Sequence, residues 1–126
     1  LESFPIPAGA MGAAGGIHLN MLVNIVGTNN TKSVALTIGG SSIVNIVFGA
    51  PFEGRVAIDV YCFNTSPTSQ RTHVTVLPNG EATRVAIASS SADTSERVDF
   101  DIAGFVADAG DTVALEVSTA ELRRTA

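Results

Sequence analysis

This 126-residue sequence contains no tryptophan and a single cysteine, Cys62. One cysteine excludes an internal disulfide framework and a zinc site built from several cysteines. Basic residues are also few, since seven Lys and Arg stand against twelve Asp and Glu, which gives a formal net charge of -5 and a pI near 4.7. Nucleic-acid grooves depend on clustered Lys and Arg, so we expect no nucleic-acid partner.

The chain is poor in charge of either sign and lacks a long apolar run. Charged residues make up 15% of it, against about 25% in typical soluble domains. Mean hydropathy is +0.33, but no apolar run approaches the roughly 18 residues of a membrane helix, so we expect no membrane insertion. A surface with so little charge indicates contact with copies of the same chain, and therefore an oligomer.

Apolar residues alternate with polar ones along most of the chain, which predicts β-strands. The stretch GIHLNMLVNIV (16–26) places Ile17, Leu19, Met21, Val23 and Ile25 on one face. The same pattern recurs with Val34, Leu36 and Ile38, with Val56 to Cys62, with Val98, Phe100 and Ile102, and with Val113, Leu115 and Val117. Turns are predicted at Gly39–Gly40 and at Pro78–Asn79–Gly80.

These patterns predict an all-β fold, an antiparallel and jelly-roll-like β-sandwich of eight or nine strands. The length fits one domain, residues 1–126. A strand already under way from Leu1 to Ile6 leads us to expect that the chain continues a longer polypeptide or has been trimmed. The alanine-rich stretches 8–15 and 104–110 leave room for a helical turn and no more.

The glycine-rich stretch IPAGAMGAAGG, residues 6–16, raises the question of a phosphate cradle. Such a cradle needs a helix after the glycines, with amide groups facing the anion, and a Lys in the Walker version. Here a predicted strand follows Gly16, and no Lys is near. A tight loop between strands is therefore the better interpretation, and we predict no cofactor.

The residues that could carry chemistry are scattered. His18 and His73 could each ligate a metal or act as a general base, but both are predicted on polar strand faces, with no second His nearby in sequence and no Cys partner. Cys62 is in phase with buried residues, which favours a packing role. Asp108, Gly110 and Asp111 come closest to a calcium loop, and they read equally well as a turn that opens a strand. We predict no catalytic residue and no metal site.

Two stretches resemble a β-rich module of tailed-bacteriophage virion proteins. FPIPAGAMGAAGGIHLNMLVNIVGTNNTKSVALTIGG (4–40) is similar to the opening of that module, and TSERVDFDIAGFVADAGDTVALEVSTAEL (94–122) to its closing half. Met11 stands where leucine is usual, and the strand before Gly39 has fewer basic residues. The resemblance implies a jelly-roll-like sandwich that assembles as a homotrimer on the virion, in tail fibres and spikes or on the capsid.

The leading hypothesis is therefore a non-enzymatic virion protein, the globular module of a trimeric tail fibre or spike that contacts the host surface. A trimeric capsid decoration protein that cements the shell is the alternative, and other virion proteins would be partners in either case. A carbohydrate-binding domain that recognises a host glycan is a further alternative, although six Phe, one Tyr and no Trp argue against a sugar-stacking cleft.

Apolar residues that break the polar side of the alternation are candidates for subunit contact, namely Leu22, Ala35 and Ala57. Loops are the usual place for variable contacts. We expect those at 49–54, 64–71 and 89–96, where Ser89 to Ser91 lack the G-x-S-x-G elbow of a hydrolase.

Overall fold

The computed structural model describes residues 2–123, and these form nine β-strands in two antiparallel sheets. This confirms the all-β sandwich. The predicted first strand begins at Glu2, and Leu1 lies outside the described residues. The strands are β1 (Glu2–Ile6), β2 (Gly16–Val26), β3 (Lys32–Ile38), β4 (Ser41–Phe48), β5 (Gly54–Ser66), β6 (Ser69–Pro78), β7 (Arg84–Ser90), β8 (Val98–Val106) and β9 (Thr112–Arg123).

The two sheets are interleaved along the chain. The four-stranded sheet has the order β1-β8-β3-β4, and the five-stranded sheet has the order β7-β6-β5-β2-β9. The chain changes sheet after β1, β2, β4, β7 and β8, so the central strands pair with partners far away in sequence. These crossings tie the two sheets into one jelly-roll-like sandwich. Within residues 2–123 there is no helix with the length and apolar character needed to span a membrane.

The core lies between the sheets and consists of the apolar faces that the alternation predicts. All five inward-facing apolar positions of β2 are buried. Val34, Leu36 and Ile38 meet them from β3, and Phe100 and Ile102 from β8. Burying a side chain of this size stabilises the fold by roughly 1.5–3 kcal/mol, so this layer is the main source of stability.

The predicted turns form where glycine permits a positive φ. Gly39 and Gly40, with φ of 55° and 78°, make the two-residue connection between β3 and β4. Positive φ at both central residues is the requirement of a type I′ hairpin turn. The turn after β6 closes with a 3.2 Å hydrogen bond from the Glu81 amide to the Pro78 carbonyl.

The last strand departs from the predicted alternation because of a bulge. In the pairing of β2 with β9, Leu22 lies opposite Val117, but Val23 lies opposite Leu115, so Glu116 is an extra residue. An extra residue reverses the side to which all following side chains point. Val113 and Leu115 therefore face the core, whereas Val117 faces out.

Two of the predicted loops turn out to be partly strand. Most of residues 64–71 belongs to β5 and β6, with only Pro67 and Thr68 between the strands. Ser89 and Ser90 end β7, so the predicted serine loop begins only at position 91. In the alanine-rich stretch 8–15 the Gly15 amide donates to the Met11 carbonyl at 2.9 Å, which makes a single helical turn, whereas residues 104–106 end β8 and 107–110 form a bend and a turn.

A candidate interaction face on the five-stranded sheet

The outward face of the five-stranded sheet carries a row of four apolar residues across neighbouring strands. Leu77 on β6 lies opposite Ala57 on β5, Ala57 lies opposite Leu22 on β2, and Leu22 lies opposite Val117 on β9. We call Leu77, Ala57, Leu22 and Val117 the apolar row. Leu77 is 47% exposed and Val117 56%. A contiguous apolar strip on an outer sheet face is typical of a surface that another molecule covers.

A shallow groove of about 450 Å³ runs along this row. Ala57 has the smallest side chain of the four and forms its floor, whereas Leu22, Leu77 and Val117 line it. The groove exists because one short side chain lies between longer ones on adjacent strands, about 4.8 Å apart.

The edge strand β7 presents two protruding apolar side chains on the same face of the sheet. Val85 is 70% exposed and Ile87 62%, while Ala86 between them and Ala88 after them point inward and are partly buried against the core. Small residues therefore face the interior and branched ones face outward, the reverse of an ordinary edge strand. The only charged residue of β7 is Arg84, whose guanidinium lies 4.9 Å from the centre of the Phe48 ring.

Beyond the apolar row, on the far side of Asn20, Asp59 and Thr75, lies a cluster of rings. Tyr61 contacts His18 at 5.9 Å and Phe63 at 5.6 Å between ring centroids, and Phe63 stacks on His73 at 5.9 Å. His18 Nε2 is 2.7 Å from Asp59 Oδ1. Both histidines thus occupy outward strand positions, as predicted. The sequence patterns indicated the individual positions but not that four rings would meet.

The charges on this face cancel, although the chain as a whole carries a net charge of -5. Arg55 binds Glu116 through a 2.9 Å contact from Nε to Oε1, and Asp59 contacts His18. Three arginines and three acids share the face: Arg55, Arg71, Arg123, Asp59, Glu116 and Glu121. The excess negative charge therefore lies elsewhere on the molecule.

The three predicted contact residues do not lie together. Leu22 and Ala57 are direct neighbours in the apolar row. Ala35 is on the other sheet, between Asn45 and Ala103. That outer face combines serine, threonine and two aspartates on β3 and β8 with two exposed apolar residues, Val47 and Phe105, which lie on either side of Ser33. Their role in subunit contact stays a prediction, and the structure divides it between two opposite faces.

The glycine-rich stretch closes one end of the sandwich. Met11 is fully buried, and consecutive turns run from Pro7 to Gly15, with positive φ at Gly9 and Gly12. The Asn64 amide donates to the Gly15 carbonyl at 2.8 Å. A strand follows at Gly16. The stretch is thus a series of turns that covers one end of the core, in keeping with the loop interpretation.

A buried polar network beneath the glycine-rich stretch was not predicted. Asn64 Nδ2 donates to the Gly12 carbonyl at 2.8 Å and to Thr94 Oγ1 at 2.7 Å, and Asn64 Oδ1 accepts from Gln70 Nε2 at 3.1 Å. Gln70 also bonds both backbone groups of Ala92. The network joins the glycine-rich loop, the turn at Pro67 and the loop that contains Ala92 and Thr94. The sequence signal for this network was a polar residue at an inward position of each strand. Asn64 follows Cys62 on the inward face of β5, and Gln70 precedes Thr72 on that of β6.

The stretch around Asp108 and Asp111 is a turn that also anchors a second loop. The Asp111 amide donates to the Asp108 carbonyl at 3.0 Å. The buried Asp111 carboxylate accepts from the amides of Asn29 and Asn30 at 3.2 and 2.9 Å. Of the predicted alternatives, the geometry is that of a turn. Among residues 2–123, no three His, Cys, Asp or Glu side chains come together as a metal-binding group.

Lys32, the only lysine of the chain, is 1% exposed. Its Nζ donates to the carbonyls of Gly27 and Ala50. The ammonium group thereby ties the β2–β3 loop to the β4–β5 loop, at the same end of the sandwich as Asp111.

Cys62 is fully buried in β5, as its phase predicts. Burial raises the pKa of the Cys62 thiol, and a hydrogen bond with the Thr72 side chain acts in the opposite direction. The thiol is therefore neutral and inaccessible at physiological pH, which suits a packing residue and not a nucleophile.

Comparisons of this chain with protein-family models, curated proteins and solved structures found no match. The bacteriophage module therefore stays a prediction from the two stretches quoted above.

Proposed function

We propose that this chain is a non-enzymatic structural module of a bacteriophage virion and that it acts as a homotrimer. The observation that carries the proposal is the outer face of the five-stranded sheet, where apolar side chains and balanced charges coincide. Such a face suits a protein that works by assembling with copies of itself. The resemblance of residues 4–40 and 94–122 to the virion module supports the same function.

Within the virion, we propose the globular part of a tail fibre or spike that contacts the host surface. Averaged electron cryomicroscopy of virions that contain this polypeptide tests the location. Density for the sandwich on the tail, at tens of copies, is the expected result. Density at the three-fold positions of the shell, at hundreds of copies, would replace the fibre by a capsid decoration protein. Absence of the polypeptide from purified particles would overturn both.

The ring cluster favours a second candidate function, the binding of a host glycan. Tyr61, Phe63 and His73 present neighbouring rings on the outer face, and aromatic rings stack on the apolar faces of sugars. A glycan array with the purified chain tests this, with Tyr61→Ala as the matched variant. Binding that the substitution abolishes would support the glycan function, whereas a blank array for the folded wild-type chain would remove it.

A further inference from the structure

We infer that the apolar row is the docking surface for a second copy of this chain, whose β7 strand inserts Val85 and Ile87 into the groove above Ala57. This rests on the trimer of the proposed function and deepens it, since it assigns the two patches that meet. Two properties of the described residues support the inference, namely the charge of the face and the complementary shapes of the two patches.

The charge favours a partner with the same composition. Two acidic chains repel one another wherever their excess charges meet. The three arginines and three acids of this face cancel, and two of the acids are already held by Arg55 and His18. A copy that docks here therefore avoids the repulsion that other faces of a chain with net charge -5 would impose.

The shapes are complementary between two different patches of the same chain. Val85 and Ile87 protrude from the edge strand, whereas the groove lies over β5 and β2, with β6 between them. Contacts around a three-fold axis join unlike patches of neighbouring copies. β7 is the edge strand of the sheet, so one copy can insert its β7 into the groove of a neighbour. Its own groove can then receive β7 of the third copy.

The test is the molar mass in solution of the full chain and of three arginine variants, measured by light scattering after size-exclusion chromatography. Wild-type chain is expected at three times its 12.9 kDa mass. Ala57→Arg fills the groove with an unpaired charge, and Ile87→Arg alters the inserting strand. Each should weaken association by roughly 30-fold or more, the level of an interface hot spot.

Thr37→Arg is the matched control, because it places the same side chain at a central strand position of the opposite sheet. It should remain trimeric. Circular dichroism and thermal melting establish that each variant is folded. A mixture of Ala57→Arg with Ile87→Arg retains one intact pair of patches and should form a one-to-one complex, which a merely unstable variant would not do.

The outcomes separate this inference from the proposed function. A trimeric wild type whose Ala57→Arg variant stays trimeric, or whose Thr37→Arg variant dissociates instead, would overturn the docking surface and leave the trimer. Failure of the mixture to form a complex would also overturn it. A folded wild type that is monomeric at high micromolar concentration would overturn the trimer itself.

Discussion

Replacing Asn64 by alanine should destabilise the protein through the loss of buried hydrogen bonds. The substitution removes three side-chain hydrogen bonds, to Gly12, Thr94 and Gln70. Each contributes about 1 kcal/mol net, so the expected loss is about 3 kcal/mol. Thr94 and Gln70 each keep another bond, to Pro67 and Ala92 respectively, which limits the additional penalty of unpaired groups.

The loss is large compared with the 5–15 kcal/mol by which typical domains are stable. For a chain of this length the unfolding entropy is roughly 0.26 kcal/mol/K, so the melting temperature should fall by about 10 °C. Guanidinium denaturation followed by far-UV circular dichroism measures the free energy of unfolding. Asn45→Ala, on the exposed face of β4, is the control and should change it by less than about 0.5 kcal/mol.

Hydrogen exchange gives a local readout of the same substitution. The amides of Gly9 and Thr94, which donate at 2.9 and 2.8 Å to carbonyls of neighbouring loops, should exchange faster in Asn64→Ala, while amides of the central strands keep their order of protection. A stability loss under about 1 kcal/mol together with unchanged exchange at these amides would refute the argument that the network holds the three loops.

The remaining predictions concern a glycine, an aspartate and the cysteine. Gly27→Ala should lower the free energy of unfolding by more than about 3 kcal/mol, because φ is 103° there and a Cβ would overlap Asp111. Gly40→Ala is the control: φ is 78° and the space around it is open, so it should cost only about 1–2 kcal/mol. Equal losses in urea denaturation would contradict the overlap. Asp111→Ala should cost about 2–3 kcal/mol, since two loop amides lose their acceptor, and Asp111→Asn should recover part of it; a neutral Asp111→Ala would disprove this anchoring. Because burial raises the pKa of the Cys62 thiol in the folded state, the unfolded chain loses the thiol proton first as the pH rises. The stability that the buried neutral thiol contributes is therefore full below about pH 8.5 and is lost at higher pH. Urea denaturation from pH 7 to 10 should thus show a steeper decline for wild type than for Cys62→Ala, and identical slopes would refute it.

Local patterns determined most of the sandwich. The alternation in GIHLNMLVNIV predicts which five residues of β2 are buried, because a strand has a side-chain period of two and one face must avoid water. Gly39 and Gly40 predict their hairpin because few other residues accept a positive φ twice in succession. The strand after Gly16 was likewise enough to favour a loop over a phosphate cradle.

The sheet partners were decided only by the tertiary structure, because pairing depends on crossings between the sheets that no local pattern encodes. The bulge at Glu116 reverses the side chains of β9 and turns Val117 outward into line with Leu22. Ala57 and Ala35 have the same local pattern, yet they lie on opposite faces of the molecule. The sequence alone therefore identified outward apolar residues, and the strand order across the five-stranded sheet determined which of them form a surface.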